Sequence, residues 1–214
     1  MRRRTAAALL GCVLAAHPAA AQVYRHLGAD LSASMIRFRS TAPFGNEALS
    51  GPAAGLLLRA RLGAVAIEGS YLQGHLTPDT GSAAARDLVE GTLFVVVRPK
   101  PWLALRAGPH LRAYATPGGT ERWTLLEARA RVDEEMIAGL LHAHLEGWIA
   151  AAAQVNVDPG ASGAHGAEVG LTLYPARSPF RVRLAYGVDR ATMKNGARSE
   201  ALESLVLVVG FGGR

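Results

Sequence analysis

Cysteine is nearly missing from this chain. The only one, Cys12, falls among the first residues. Beyond it the sequence has no material for a disulfide, a thiol nucleophile or a cysteine-based metal site. Lysine is almost as scarce: Lys100 and Lys194 are the only two, and arginine carries the remaining basic charge. After Ala21 no uninterrupted run of apolar residues reaches the length a membrane-crossing helix needs, about 18–20. Basic clusters interleaved with aromatics are missing too, so the formal charge of +6 does not point to nucleic acid. What the chain does have is alternation, together with an unusual start.

That start reads Arg2-Arg3-Arg4, then an apolar run from Ala6 to Ala16, then His17-Pro18 and Ala19-Ala20-Ala21. A charged beginning, a short greasy middle and small residues at the end make a secretory signal peptide, with cleavage expected after Ala21. The mature domain is then 22–214. Loss of three arginines lowers Lys+Arg from 23 to 20 against 17 acids, leaving a charge of +3. Leu9-Leu10-Gly11-Cys12 resembles a lipoprotein cleavage box, but it would cut short an apolar run that continues past Cys12. An exported domain without cysteine suits a bacterial cell envelope.

The clearest alternation lies in Val169–Asp189. Phe180, Val182, Leu184, Tyr186 and Val188 share one face, and Arg181, Arg183, Ala185, Gly187 and Asp189 share the other. Period-2 patterning marks a strand with one apolar and one polar side. Two arginines within three residues do not suit a dry core. They suit a barrel that is apolar outside and polar inside.

The same grammar predicts ten strands, at 30–39, 55–62, 65–76, 88–98, 102–114, 122–132, 142–157, 169–174, 180–189 and 200–211. Pro109 is a poor strand residue, because it cannot donate to a ladder. Segment 142–157 reads as strand or as helix: Met136, Ile137, Leu140, Leu141, Leu145, Trp148 and Ile149 form a 3.6-residue stripe. Strand keeps the hairpin count even. Short turns are predicted near Gly63, Pro99, Glu134 and Ala176, and longer polar loops near Gly45, Asp79, Gly118, Gly160 and Asn195. The predicted fold class is all-β, a ten-stranded antiparallel up-and-down transmembrane barrel, with eight strands as the smaller alternative. Two aromatic girdles follow from the heights along the strands. Trp102, Tyr174, Phe180 and Phe211 lie at the short-turn end, and Tyr71, Tyr114 and Trp123, with Phe38, at the long-loop end.

In these respects the chain resembles small bacterial outer-membrane β-barrel proteins, the broad class that includes porin-like and OmpA-like barrels. The resemblance is one of pattern and spans Asp30–Phe211. It implies outer-membrane lipid and the barrel-assembly machinery as partners. Such barrels usually end on an aromatic residue, whereas Phe211 is followed here by Gly212-Gly213-Arg214.

The inward face collects Arg59, Arg61, Glu68, Glu90, Arg98, Arg106, His110, Arg112, Glu127, Arg129, Arg131, His144, Glu146, Glu168, Arg181, Arg183 and Asp189. Such a set could line an anion-preferring pathway or fill a narrow lumen with an ionic lattice. Barrels of about eight strands are filled by their own side chains, and open channels need about sixteen, so ten favours filling. Each buried charge then needs a partner. His142, His144 and Glu146 share a face but lack a further ligand at metal-binding spacing. His75, Asp79, Asp158, His165 and Asp189 lie near the loop end, with Ser162 close to His165, yet they form no recognisable catalytic set. No cofactor or metal is indicated. The expected function is an outer-membrane barrel without catalytic activity, structural or passing small solutes. A barrel enzyme acting at the loop end and a soluble, exported ligand-binding barrel are the alternatives.

Overall fold

The computed structural model describes residues 27–43, 45–79, 83–175 and 178–212, so the signal-peptide segment lies outside the described residues. Ten strands follow one another: β1 (Leu27–Ala42), β2 (Gly45–Leu62), β3 (Val65–Pro78), β4 (Arg86–Lys100), β5 (Leu103–Thr116), β6 (Gly119–Ile137), β7 (Leu141–Val155), β8 (Ala161–Leu173), β9 (Phe180–Met193) and β10 (Ser199–Phe211). Each is antiparallel to its neighbours, and β1 pairs with β10, closing the sheet into a barrel. An even number of strands places the start of β1 and the finish of β10 at one end, named the turn end below. The opposite end is the loop end.

Why the sheet closes follows from its two faces. The outer face carries Leu31, Met35, Leu58, Ile67, Leu93, Val95, Leu111, Leu126, Ile149, Val169, Leu184, Leu205 and Leu207, each at least 40% exposed. Outward positions stay free of charge over Val89–Val97, Leu103–Leu111 and Phe180–Val188. About nine residues at ~3.3 Å each, tilted by about 40°, span about 23 Å, close to the apolar band of transmembrane barrels. Lipid supplies no hydrogen bonds, so the strands must satisfy one another all the way round. Outward-facing Arg37, Arg39, Asp87, Arg122, His165, Arg190 and Glu203 mark the loop-end border, where Arg39 Nη2 donates to Glu203 at 2.8 Å. An arginine within the band, Leu207→Arg, is therefore expected to destabilise the fold by about 2–4 kcal/mol. The same residue in place of Ala201, beyond the border, should change little. Urea unfolding of liposome-inserted protein would measure both, and equal effects would show that the band is misplaced.

Segment 142–157 is a strand over 141–155. Pro109 fits because the β4–β5 ladder skips it: matched pairs run from Thr92–His110 to Val95–Ala107, with no pair between. The long loops are a correction. β2 begins just past the end of β1, and the predicted loop 40–50 is largely ladder, from Arg37–Ser50 to Ala42–Gly45. Likewise β5 and β6 run through most of 115–121, β8 starts at Ala161 rather than Val169, and β6 passes Glu134 to reach Ile137. Pairing needs only backbone groups, so strands outrun the apolar band in polar sequence that reads as loop. At Gly63-Ala64 the turn is a tight hairpin with Gly63 at φ 65°, a backbone state in which glycine costs nothing.

Candidate functional site

Inward side chains divide the lumen into two storeys. The loop-end storey is apolar. Phe38, Leu49, Leu76, Leu88, Tyr114, Trp123 and Leu125 are all at most 2% exposed and form one cluster with Trp148, Met193 and Leu202. Phe38 and Tyr114 meet at 5.0 Å between ring centroids. Tyr114 and Trp123 thus point into the barrel and belong to no girdle, which corrects their predicted place. Strand parity explains it, because Tyr114 lies in step with Arg112 and Trp123 with Glu127. Tyr174 is also displaced: it meets His142 edge to face at 5.0 Å and lines the turn-end mouth. Trp102, Phe180, Phe211 and Tyr71 do face outward, and Phe180 and Phe211 lie 5.6 Å apart.

Above the apolar cluster sits a small polar cap. Trp123 Nε1 donates to Glu121 at 2.8 Å, and Arg198 pairs with Glu121 and, at 2.7 Å, with Glu200. Burial opposes the charge of Arg198, but these carboxylates outweigh it and hold its pKa above the ordinary value.

The second storey, from the middle of the lumen to the turn end, is ionic. A line of charged side chains, joined through His110, crosses from β2 to β9. Arg59 binds Glu68 at 2.5 Å, and Glu68 holds Arg106 at 3.2 Å. Arg106 also pairs with Glu146, which meets Arg129 at 3.2 Å. Arg129 binds Glu127 at 2.6 Å, and Glu127 meets His110 at 2.7 Å. His110 lies 3.8 Å from Glu90, Glu90 pairs with Arg112, and Arg112 reaches Asp189 at 2.5 Å. Trp148 Nε1 completes the line by donating to Asp189 at 3.0 Å. The Arg129 guanidinium also lies over Phe94 at 4.9 Å and over Trp148 at 5.4 Å, a placement that favours a desolvated cation. Three shorter groups stand apart, namely Asp30 with Arg181, Arg131 and Arg98 with Asp133, and His144 and Arg183 with Glu168. Arg61 is exposed at the rim and, among the described residues, donates only to the Gly63 carbonyl.

Two inward glycines make room for this lattice. A Cβ at Gly166 would fall 2.3 Å from Trp148 Nε1 and 2.6 Å from Asp189 Oδ1. One at Gly210 would fall 2.3 Å from Asp30 Oδ1. Gly210→Val is accordingly expected to break the Asp30–Arg181 pair and to destabilise the barrel by about 2–4 kcal/mol, through overpacking and a stranded charge together. Thermal loss of the fast-migrating folded band on unheated gels would show it, and an unchanged transition would sink this reading.

Beside the lattice, in the turn-end half, a cavity of about 880 Å³ opens at the mouth. It exists because β9, β10 and β1 turn small residues inward there: Gly187, Ser204, Ser32 and Ser34. Its inner end meets Ile36 and Leu202 of the apolar cluster.

The other residues marked in the sequence do not converge. His142 lies 3.8 Å from Glu135, while His144 and Glu146 are taken up by separate partners. Among the described residues no group of three or more His, Cys, Asp or Glu side chains could share a metal ion. Ser162 Oγ bonds to Thr192 and Met193, not to His165. On the outer surface His75 and Asp87 pair at 2.6 Å, but Ser50 donates to Asp79, and Thr77 donates to the Ser50 carbonyl. Sequence reading missed the apolar storey altogether.

An apolar exterior, a closed ladder and an ionic interior define a transmembrane β-barrel of the bacterial outer-membrane class. No protein-family model and no curated protein matches the chain. Among solved structures it is similar to Neisserial surface protein A, with TM-score 0.42, 11% identity, and 86% of this chain and 96% of that one covered. The translocator domain of the autotransporter NalP from Neisseria meningitidis gives TM-score 0.44 and 15% identity over 96% of this chain and 95% of that one. An outer-membrane channel from Pseudomonas putida F1 gives 0.45 and 10% over 87% and 96%. The class rests on the distribution of side chains between the two faces of the barrel, not on these overlaps.

Proposed function

We propose that the protein is an integral outer-membrane barrel, exported by its signal peptide, whose lumen is closed and non-conducting. It has no catalytic role of its own. The observation that carries this is the apolar storey: side chains at most 2% exposed pack together in the lumen at the loop end, and the Arg86 guanidinium, held by Glu47, lies flat against them over Phe38 at 5.1 Å. A route for ions would have to break that contact. The turn end faces the periplasm in this reading, since β1, β2, β5, β6 and β8 all overrun the apolar band at the other end, whereas at the turn end the overrun is that of the β6–β7 hairpin. Planar-bilayer recording of the purified mature protein tests it. Silent membranes, with insertion confirmed by protease protection, are the expected result. Regular unitary steps would refute it and favour small-solute passage.

A further inference from the structure

We propose that the turn-end cavity is a binding site for a small polyhydroxylated anion, a sugar phosphate or a sugar acid, that enters from the turn end. The proposal rests on the reading that the lumen is blind at the loop end.

Two walls carry it. The first is cationic. Arg98, Arg131 and Arg183 project from β4, β6 and β9 into the cavity and have only two carboxylates among them. Arg131 holds Asp133 at 2.8 Å, while Arg98 comes no nearer to Asp133 than 3.9 Å. Arg183 shares Glu168 with His144, at 3.2 Å and 2.9 Å. Lys100 at the rim has no carboxylate partner among the described residues. In contrast, every acidic group facing the cavity is already held by an arginine or histidine, so the donor capacity left over is positive. Guanidinium groups with unused donors grip oxyanions in a planar, two-pronged fashion.

The second wall is hydroxylic. Ser32 on β1 and Ser204 on β10 face the cavity without a hydrogen-bond partner among the described residues. Ser34 lies between them and makes only a long contact, 3.4 Å, to the Ala53 carbonyl. Strand register ties the walls together, because Ser32 pairs with Val208, and Val208 pairs with Arg183. Inorganic phosphate would occupy a small part of 880 Å³ and reach one wall. A hexose carrying an oxyanion can engage both. A lipid headgroup is disfavoured, since the ladder closes without a gap and the cavity opens at the barrel end.

The test is calorimetric titration of the mature protein in lipid nanodiscs at low salt. Glucose 6-phosphate, gluconate, glucose and inorganic phosphate are the probes. Saturable one-to-one binding of glucose 6-phosphate or gluconate is expected, at least tenfold tighter than phosphate, with glucose silent. Whichever of the two binds tighter identifies the head group. Arg98→Gln with Arg183→Gln should weaken that binding about tenfold or more. Ser32→Ala with Ser204→Ala should erase the preference over phosphate but leave phosphate affinity unchanged. Heat-modifiable migration confirms that both variants fold. Lack of saturable binding overturns the proposal, as does binding that ignores either pair of substitutions. Bilayer recording separates the two failures. A conducting protein that still binds glucose 6-phosphate refutes the closed lumen alone, and a silent protein that binds nothing refutes the site alone.

Discussion

Trp123→Ala is expected to be the most damaging single substitution in the lumen, lowering stability by about 3–5 kcal/mol. The indole is 2% exposed and fills the middle of the loop-end cluster with Phe38, Tyr114 and Leu125. Its truncation removes packed apolar volume and also takes one donor from the Glu121 carboxylate, which keeps Arg198. Neighbours held in a closed ladder cannot collapse into the gap, which places the cost at the upper end of the range. A second consequence follows from position. With the cluster breached, water can connect the turn-end cavity to the loop end, so the variant is expected to show small, flickering conductance where the parent is silent. Urea unfolding in detergent and bilayer recording measure the two effects. A variant within 1 kcal/mol of the parent (roughly a fivefold change in the folded ratio) that is also silent would contradict a structural seal at Trp123.

Glu127→Leu should come next. Glu127 is 1% exposed and receives His110 on one oxygen and Arg129 on the other. Removing it leaves a buried guanidinium short of a partner, which costs about 3–5 kcal/mol when a buried ion pair is broken from one side. Removing both ends restores part of the loss, because an apolar pair of similar size replaces the charges at little net cost. The double variant Glu127→Leu with Arg129→Leu should therefore be the more stable of the two. This sign separates a paired lattice from a set of independent charges, for which the losses would simply add. By contrast, Arg39→Ala on the outer surface is expected to change stability by less than about 1 kcal/mol, because its bond to Glu203 is solvent-exposed. That pair should also weaken with salt, which the buried lattice resists.

Much of this architecture was legible in the sequence, because one physical rule wrote most of it. Outward positions had to be apolar, and inward ones were free to be charged, so period-2 alternation exposed both the strand number and the faces. The same rule placed Tyr114 and Trp123 inside, since each follows the parity of the arginines on its own strand. Reading them as girdles used height along the strand and ignored parity. The strand overhangs were hidden for another reason. Beyond the apolar band nothing requires alternation, so Ser40–Ser50 carries the composition of a loop while its backbone pairs as a ladder. The loop-end seal was hidden with them, because Leu49 comes from such an overhang and meets Phe38, Leu88 and Trp123 only in three dimensions. Individual ion pairs were beyond reach as well. Alternation brings Arg106 and Glu146 to one face, but their meeting depends on barrel curvature, since β5 and β7 are not ladder neighbours.

The most direct test of the barrel as a closed-ended, inside-out structure uses its lack of cysteine beyond Cys12. Single cysteines are placed in turn from Ser204 to Val209 on β10 in membranes of known orientation, then probed with brominated lipid and with a charged maleimide. Positions 205, 207 and 209 should be quenched by lipid and resist the maleimide. Positions 204, 206 and 208 should escape quenching and react with the maleimide from the turn end only. Reversed alternation would show that the faces are inverted, and labelling of 204, 206 or 208 from the loop end would show that the lumen is open.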